Sequence, residues 1–161
     1  WELGRSTDPM TRAERVWIEQ VSREAFADGA GNAWGVLMVV SCERSGPLLQ
    51  IFGWERIATV GGYASTRWRL DPTDQVGELV WHAPGDARLI GVFDRTPQMP
   101  RYPTAWQAPV VTELLGLMVA AETMTVEIET ARGPVGRPTF ALAGLREALE
   151  QMEGGRCAPK G

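Results

Sequence analysis

The sequence is poor in the residues that most often carry chemistry. Its 161 residues include one histidine, His82, and two cysteines, Cys42 and Cys157. A nucleophile–histidine–acid relay would have to pass through His82. No Gly-x-Ser-x-Gly elbow accompanies it, and a histidine after a tryptophan at a strand end ("LVWHAP") reads as a surface or packing residue. Zinc needs three or four Cys, His or carboxylate ligands, and one His with two distant Cys makes no such motif. The acidic residues never fall into a calcium-loop pattern. No Gly-x-Gly-x-x-Gly or P-loop is present. "GGYAS" lacks both a lysine and a following helix, so it reads as a hairpin turn. A glycosidase needs only two carboxylates that meet in space, and nothing in the sequence points to such a pair. No catalytic constellation stands out, and the expectation is a protein with no catalytic residues, no metal and no cofactor.

Lysine is almost absent as well. Fifteen of the 16 basic residues are arginine and the other is Lys160, a bias we attribute to coding composition rather than to chemistry. With 20 acidic residues the net charge is −4 and the pI about 5.1. That excludes a surface built to displace counterions from a nucleic-acid backbone. No apolar run approaches the roughly 18 residues that span a bilayer; "GVLMVV" and "LLGLMVAA" fall far short. The chain starts at Trp1, and the expectation is a processed or trimmed product, with a signal peptide one candidate for what was removed.

What is present is period-two patterning. "WELGRSTDPMT" reads as a strand and a turn, with Asp8-Pro9 as the turn initiator. In "RVWIEQVS", Val16 and Ile18 point one way and Trp17, Glu19 and Val21 the other. "ADGAGNAWG" is a glycine-rich loop or hairpin. "WGVLMVVSCE" is apolar enough to be buried on both faces, and "PLLQIFGW" follows it after a turn. In "YASTRWRLDP", Ala64, Thr66, Trp68 and Leu70 share one face while Ser65, Arg67, Arg69 and Asp71 share the other. "GELVWH" and "ARLIGVF" continue what reads as a meander of antiparallel strands. After a loop marked by Pro97, Pro100 and Pro103 the period changes. Val111, Leu114, Leu115 and Met118 fall at i, i+3, i+4 and i+7, the apolar stripe of a helix, with Pro109 in its first turn. "TMTVEIET" is a strand with Met124, Val126 and Ile128 inward, and "TFALAG" another with Phe140 and Leu142 inward. A second short helix places Leu145, Ala148, Leu149 and Met152 on one face and stops at Gly154-Gly155.

These elements predict one domain over residues 1–161, with 158–161 a frayed tail. The fold class is α+β, mostly β: an antiparallel β-sandwich or curved sheet with two short helices toward the C-terminus.

Two polar or aromatic features could bind a partner. Arg67 and Arg69 sit about 7 Å apart on one strand face, beside Asp71, a spacing suited to clasping an acidic group; the alternative is a solvated face on which Asp71 neutralises Arg69. Seven tryptophans could supply stacking platforms for a sugar or a protein, although most are expected to fill the core. The two cysteines admit one intramolecular pairing. It would close a loop of roughly 115 residues and stabilise the fold by about 4–5 kcal/mol in the chain-entropy model. In a reducing compartment they would be two unrelated thiols.

The order of features resembles the VasI/TagO-like type VI secretion-associated family, small exported envelope proteins of Gram-negative bacteria. The resemblance runs through the opening tryptophan and turn ("WELGRSTDPMT"), the strand ending in cysteine ("LMVVSC") and Arg69-x-Asp71 before Pro72 ("RWRLDP"). It continues through "LVWHAP", "LLGLMVAAETMTVEI" and "FALAGLREAL", closed by the late cysteine. Arg12 and the loop "AFADGAGNAWG" depart from that pattern. The late "GLREAL" block is also similar to secreted proteins of the invasion-associated locus B type.

The resemblance implies a Cys42–Cys157 disulfide, a periplasmic location and no enzymatic activity. The protein would be an accessory or structural subunit that binds other envelope proteins of a larger complex, with only peripheral membrane association. The expected partner-binding residues are Arg67, Trp68, Arg69 and Asp71. The competing expectations are a cell-wall glycan-binding module and an inhibitor of a secreted hydrolase.

Overall fold

A computed structural model describes residues 1–12, 14–27, 30–43, 46–53, 63–82, 89–93, 110–130 and 135–152. The chain opens with β1 (Glu2–Thr7) and β2 (Glu14–Ala27). The turn between them is built by Asp8. Its carboxylate accepts the backbone N–H groups of Met10 and Thr11 at 2.8 and 2.9 Å, and its carbonyl accepts that of Arg12. Those two N–H donors, more than the nearby positive charge of Arg15, hold the Asp8 carboxyl below the usual carboxylate range.

The glycine-rich segment after β2 is a shorter loop than the sequence suggests. β2 runs on to Ala27 and β3 (Ala33–Glu43) begins at once beyond the loop. Their register shifts between Val21 and Ala25, a bulge that bends β2. Ser22 occupies the bend. Its buried hydroxyl accepts the N–H of Val36 at 3.0 Å and donates to the carbonyl of Glu24 at 2.8 Å, so backbone groups released by the bulge stay bonded.

β4 (Gly46–Phe52), β5 (Tyr63–Asp71), β6 (Gln75–His82) and β7 (Leu89–Phe93) follow. Then come α1 (Val110–Met118), β8 (Thr123–Glu129), β9 (Val135–Gly136), β10 (Thr139–Ala141) and α2 (Leu145–Gln151). The strands are antiparallel, and the fold is mostly β. They form one sheet in the order β1-β2-β3-β4-β7-β6-β5-β8-β10, with β9 on β8. Of the two arrangements expected, a sandwich or a curved sheet, the strands take the second, a curved and continuous sheet. One expectation is corrected: the order is not a plain meander, because β5, β6 and β7 are inserted in reverse, so β7 pairs with β4 and β5 is left to take β8. Bent at β2, the sheet curls until β10 lies against β2. There the N–H of Thr139 donates to Glu24 Oε2 at 2.7 Å.

Curling gives the sheet an inside, and the core lies there. Val16 and Ile18 (β2), Val36, Met38 and Val40 (β3), Leu49 and Ile51 (β4) and Met124, Val126 and Ile128 (β8) are all buried. Both helices contribute the faces their periodicity predicts: Val111, Leu114, Leu115 and Met118 from α1, and Leu145, Ala148, Leu149 and Met152 from α2. α2 starts at Gly144, whose φ of 79° is the left-handed conformation glycine adopts without strain. Trp81 is fully buried and its indole N–H donates to Thr66 Oγ1 at 2.6 Å. The Thr130 hydroxyl is buried without a hydrogen-bond partner among the described residues.

β3 is less symmetrical than its apolar run implies. Val36, Met38 and Val40 are sealed on the inside, but on the outer face Leu37 is only half-buried beside a buried Val39. Of the other residues singled out from the sequence, Trp54, Trp106, Pro97, Pro100, Pro103, Pro109, Gly154, Gly155, Cys157, Lys160 and the His82 side chain lie outside the described residues.

Candidate functional site

The outside of the sheet offers two faces. The first carries the arginines expected to bind a partner. On β5, Arg67 and Arg69 point outward as predicted, and each has a carboxylate neighbour. Arg69 Nε lies 3.3 Å from Asp71 Oδ1. Arg67 faces Glu78 of β6 on one side and Glu127 of β8 on the other, with its Nε 3.9 Å from Glu78 Oε1. Glu127 in turn holds Arg137 at 2.9 Å. Glu78, Arg67, Glu127 and Arg137 therefore form a row of alternating charge across the strands. Such exposed pairs contribute little stability, but they leave the arginines compensated rather than poised for an anion.

Trp68 does not join them. It lies on the inner face, packed against the core, with its ring across Gly77. A Cβ built on Gly77 would fall 2.7 Å from Trp68 Cε2 and 3.0 Å from Nε1. The two residues are direct cross-strand partners, so the indole fills the space that glycine leaves empty.

The second face is the outside of β1–β4. Here too a tryptophan lies over a glycine. Trp17 is paired with Gly4, and a Cβ at Gly4 would come within 2.5 Å of Trp17 Cζ2 and Nε1. The ring is half-buried and its N–H donates to Glu19 Oε2 at 2.8 Å. Beside it the sheet is grooved, with a volume of about 410 Å³ lined by Trp17, Glu19, Leu37, Val39, Gln50 and Phe52 among others. Leu37 and Phe52, cross-strand partners, make one side of it apolar, and Val21 continues their row on β2. Val21 is 54% exposed and Phe52 38%. Both are large apolar side chains turned to solvent on a strand face, which is the less usual arrangement.

Neither face gathers a reactive centre. Among the described residues no three His, Cys, Asp or Glu side chains are placed to hold a metal, and no helix is long and apolar enough to cross a membrane. Cys42 is half-buried near the end of β3 and is among the residues that line the groove.

The groove escapes a reading of the sequence alone. Trp17, Glu19 and Val21 are recognisable as one face of a strand, but only the β1–β2 and β3–β4 registers bring Gly4, Leu37 and Phe52 beside them. No protein-family model matches this chain, and neither a curated protein nor a solved structure matches it.

Proposed function

We propose that the protein is a non-enzymatic, exported accessory subunit that binds other proteins of a larger cell-envelope complex in the periplasm. The contact surface in this reading is the groove on β1–β4. The observation that carries it is the exposed apolar side of that groove, where Leu37 and Phe52 are cross-strand neighbours and share the lining with the Trp17 indole. Aromatic and aliphatic anchors in a partly desolvated hollow are what protein interfaces use as hot spots. The Arg67/Arg69 face is the weaker choice, because its charges already satisfy one another.

A disulfide between Cys42 and Cys157, the two cysteines of the sequence, belongs to the same reading and would form in an oxidising compartment. Membership of a type VI secretion-associated, VasI/TagO-like group belongs to the same proposal and rests on the sequence resemblance.

A photo-crosslinking residue at position 52, introduced in cells of the source organism, should give discrete adducts with envelope proteins; the same residue at position 67 should give few. Adducts at 67 and none at 52 would exchange the two faces. The second reading, a glycan-binding module, is favoured by the Trp17 indole sharing the groove with the polar side chains of Glu19 and Gln50. A peptidoglycan pull-down that depends on Trp17 would select it.

A further inference from the structure

The two sides of β2 are filled differently. β3 runs along one side. On the other, β1 covers the first part, from Glu14 to Glu19, and β10 lies against the second. β1 itself is paired with β2 alone and ends the sheet. Among the described residues nothing pairs with its outer edge. In an antiparallel ladder, alternate residues turn their N–H and C=O groups to opposite neighbours, so every second residue of β1 presents both groups to the open side. Natural sheets guard such edges with proline, lysine, a bulge or a covering segment. β1 reads Glu-Leu-Gly-Arg-Ser-Thr and keeps an unbroken register along its whole length. It has neither proline nor lysine, and the bulge of β2 lies beyond it, after Val21. Of its two charges, Arg5 is drawn back toward β2, where it engages Glu14 at 3.3 Å.

The core is unfinished at the same edge. Leu3 stands opposite the fully buried Ile18 and therefore on the inner face. It is nevertheless 38% exposed, because the sheet stops there. On the outer face the Trp17 ring fills the place of a side chain over Gly4, and Ser6 and Trp17 both belong to the groove. An open strand edge is complementary to another extended backbone. We propose that the partner protein adds an extended segment to the free edge of β1. One apolar side chain of that segment covers Leu3 on the inside, and the next residue meets the Trp17 indole on the outside. Main-chain hydrogen bonds supply the affinity and the alternate side chains the choice of sequence. The proposal rests on the protein-binding reading above and gives the partner's conformation, a strand laid beside the groove.

The readout is amide hydrogen exchange in the whole protein. In the free protein one alternate set of β1 amides, either Leu3, Arg5 and Thr7 or Glu2, Gly4 and Ser6, should exchange quickly while β2 protects the other. The probe is the peptide Ac-Thr-Val-Thr-Ile-Thr-Val-NH₂, beside an analogue N-methylated at every residue, which keeps the side chains and cannot donate. The parent peptide should slow the fast set about tenfold when it stands at about nine times its dissociation constant; the analogue should not. Equal protection of both sets in the free protein overturns the proposal, because the edge is then already covered, by a second copy if the protection falls on dilution. A fast set left unchanged by millimolar parent peptide, or equal protection by the methylated form, also overturns it. A cellular arm separates the edge from its foundation. Leu3→Lys places a charge at the inner rim of the edge, a guard of the kind natural sheets use, and leaves the groove intact. It should remove the adducts formed from position 52. If those adducts persist undiminished, protein binding stands and the edge site falls. If position 52 gives no adducts in the unaltered protein while the peptide still protects β1, the groove reading falls and the edge site stands.

Discussion

Gly77→Ala isolates the tryptophan-over-glycine contact in the sheet. Gly77 lies within β6 in a strand conformation, so the backbone accepts alanine. The obstacle is the Trp68 ring, which a new methyl would approach to 2.7 Å at Cε2. Ordinary contact begins near 3.4 Å, so the indole must retreat by about 0.7 Å at that atom and by more at Cζ2, which lies nearer still. Trp68 is packed against the core and cannot retreat freely. Overpacking of this kind costs about 1–3 kcal/mol, and replacing glycine returns about 0.4–1 kcal/mol through the unfolded chain. The net expectation is a loss of about 1–2 kcal/mol, a fall in melting temperature of about 2–8 °C for a chain of this size. Urea unfolding of wild type, Gly77→Ala, Trp68→Leu and the double variant measures the coupling directly. With the ring shortened, alanine at 77 should be neutral or stabilising. Additive losses in the double variant would refute the reasoning, because the cost would then lie in the backbone and not in the ring.

Other outcomes follow from the same geometry. Thr130→Val removes a buried hydroxyl that has no hydrogen-bond partner among the described residues and should raise stability by up to about 1 kcal/mol, read from the urea midpoint. Glu24→Ala deletes the acceptor for the Thr139 N–H; amide exchange at Thr139 should accelerate far more than at Met124, which lies deep in the core. Asp8→Ala should destabilise the protein at neutral pH. The folded Asp8 carboxyl titrates below its unfolded value, so its contribution is fully present above the unfolded value near 4. It should disappear as pH falls through the lower, folded value, and the two proteins should then unfold alike. Alkylation before and after reduction, followed by intact mass, should add two alkyl groups only after reduction if Cys42 and Cys157 are joined.

Much of the local structure was legible because local patterns determine it. The four apolar positions of α1, the inward row Met124, Val126 and Ile128, and the alternation from Ala64 to Asp71 each follow from one side-chain period. Each is buried or exposed as that period requires. The sheet order was not legible. Whether β4 pairs with β5 or β7 depends on contacts between segments far apart in sequence, and both choices bury similar strands. The candidate site failed to show for the same reason. Arg67 and Arg69 stand out because they are charged neighbours on one strand, yet their compensation by Glu78 and Asp71 needs the β5–β6 register and a side-chain turn. Trp68 looked like part of that cluster by adjacency, although period two already sends it to the opposite face. Trp17 is marked as important only once Gly4 is known to be its partner.

The seam between β2 and β10 also bears on tempo. Glu24 and Thr139 are 115 positions apart, so the part of β2 that β1 does not reach stays uncovered until one of the last elements arrives. Long-range closure of this kind is slow compared with hairpin formation. Half-closed sheets in the interval would be open to pairing with one another. A chain of this topology depends on its surroundings while it folds: its yield should fall steeply with concentration during refolding, long before the stability of the finished protein becomes limiting.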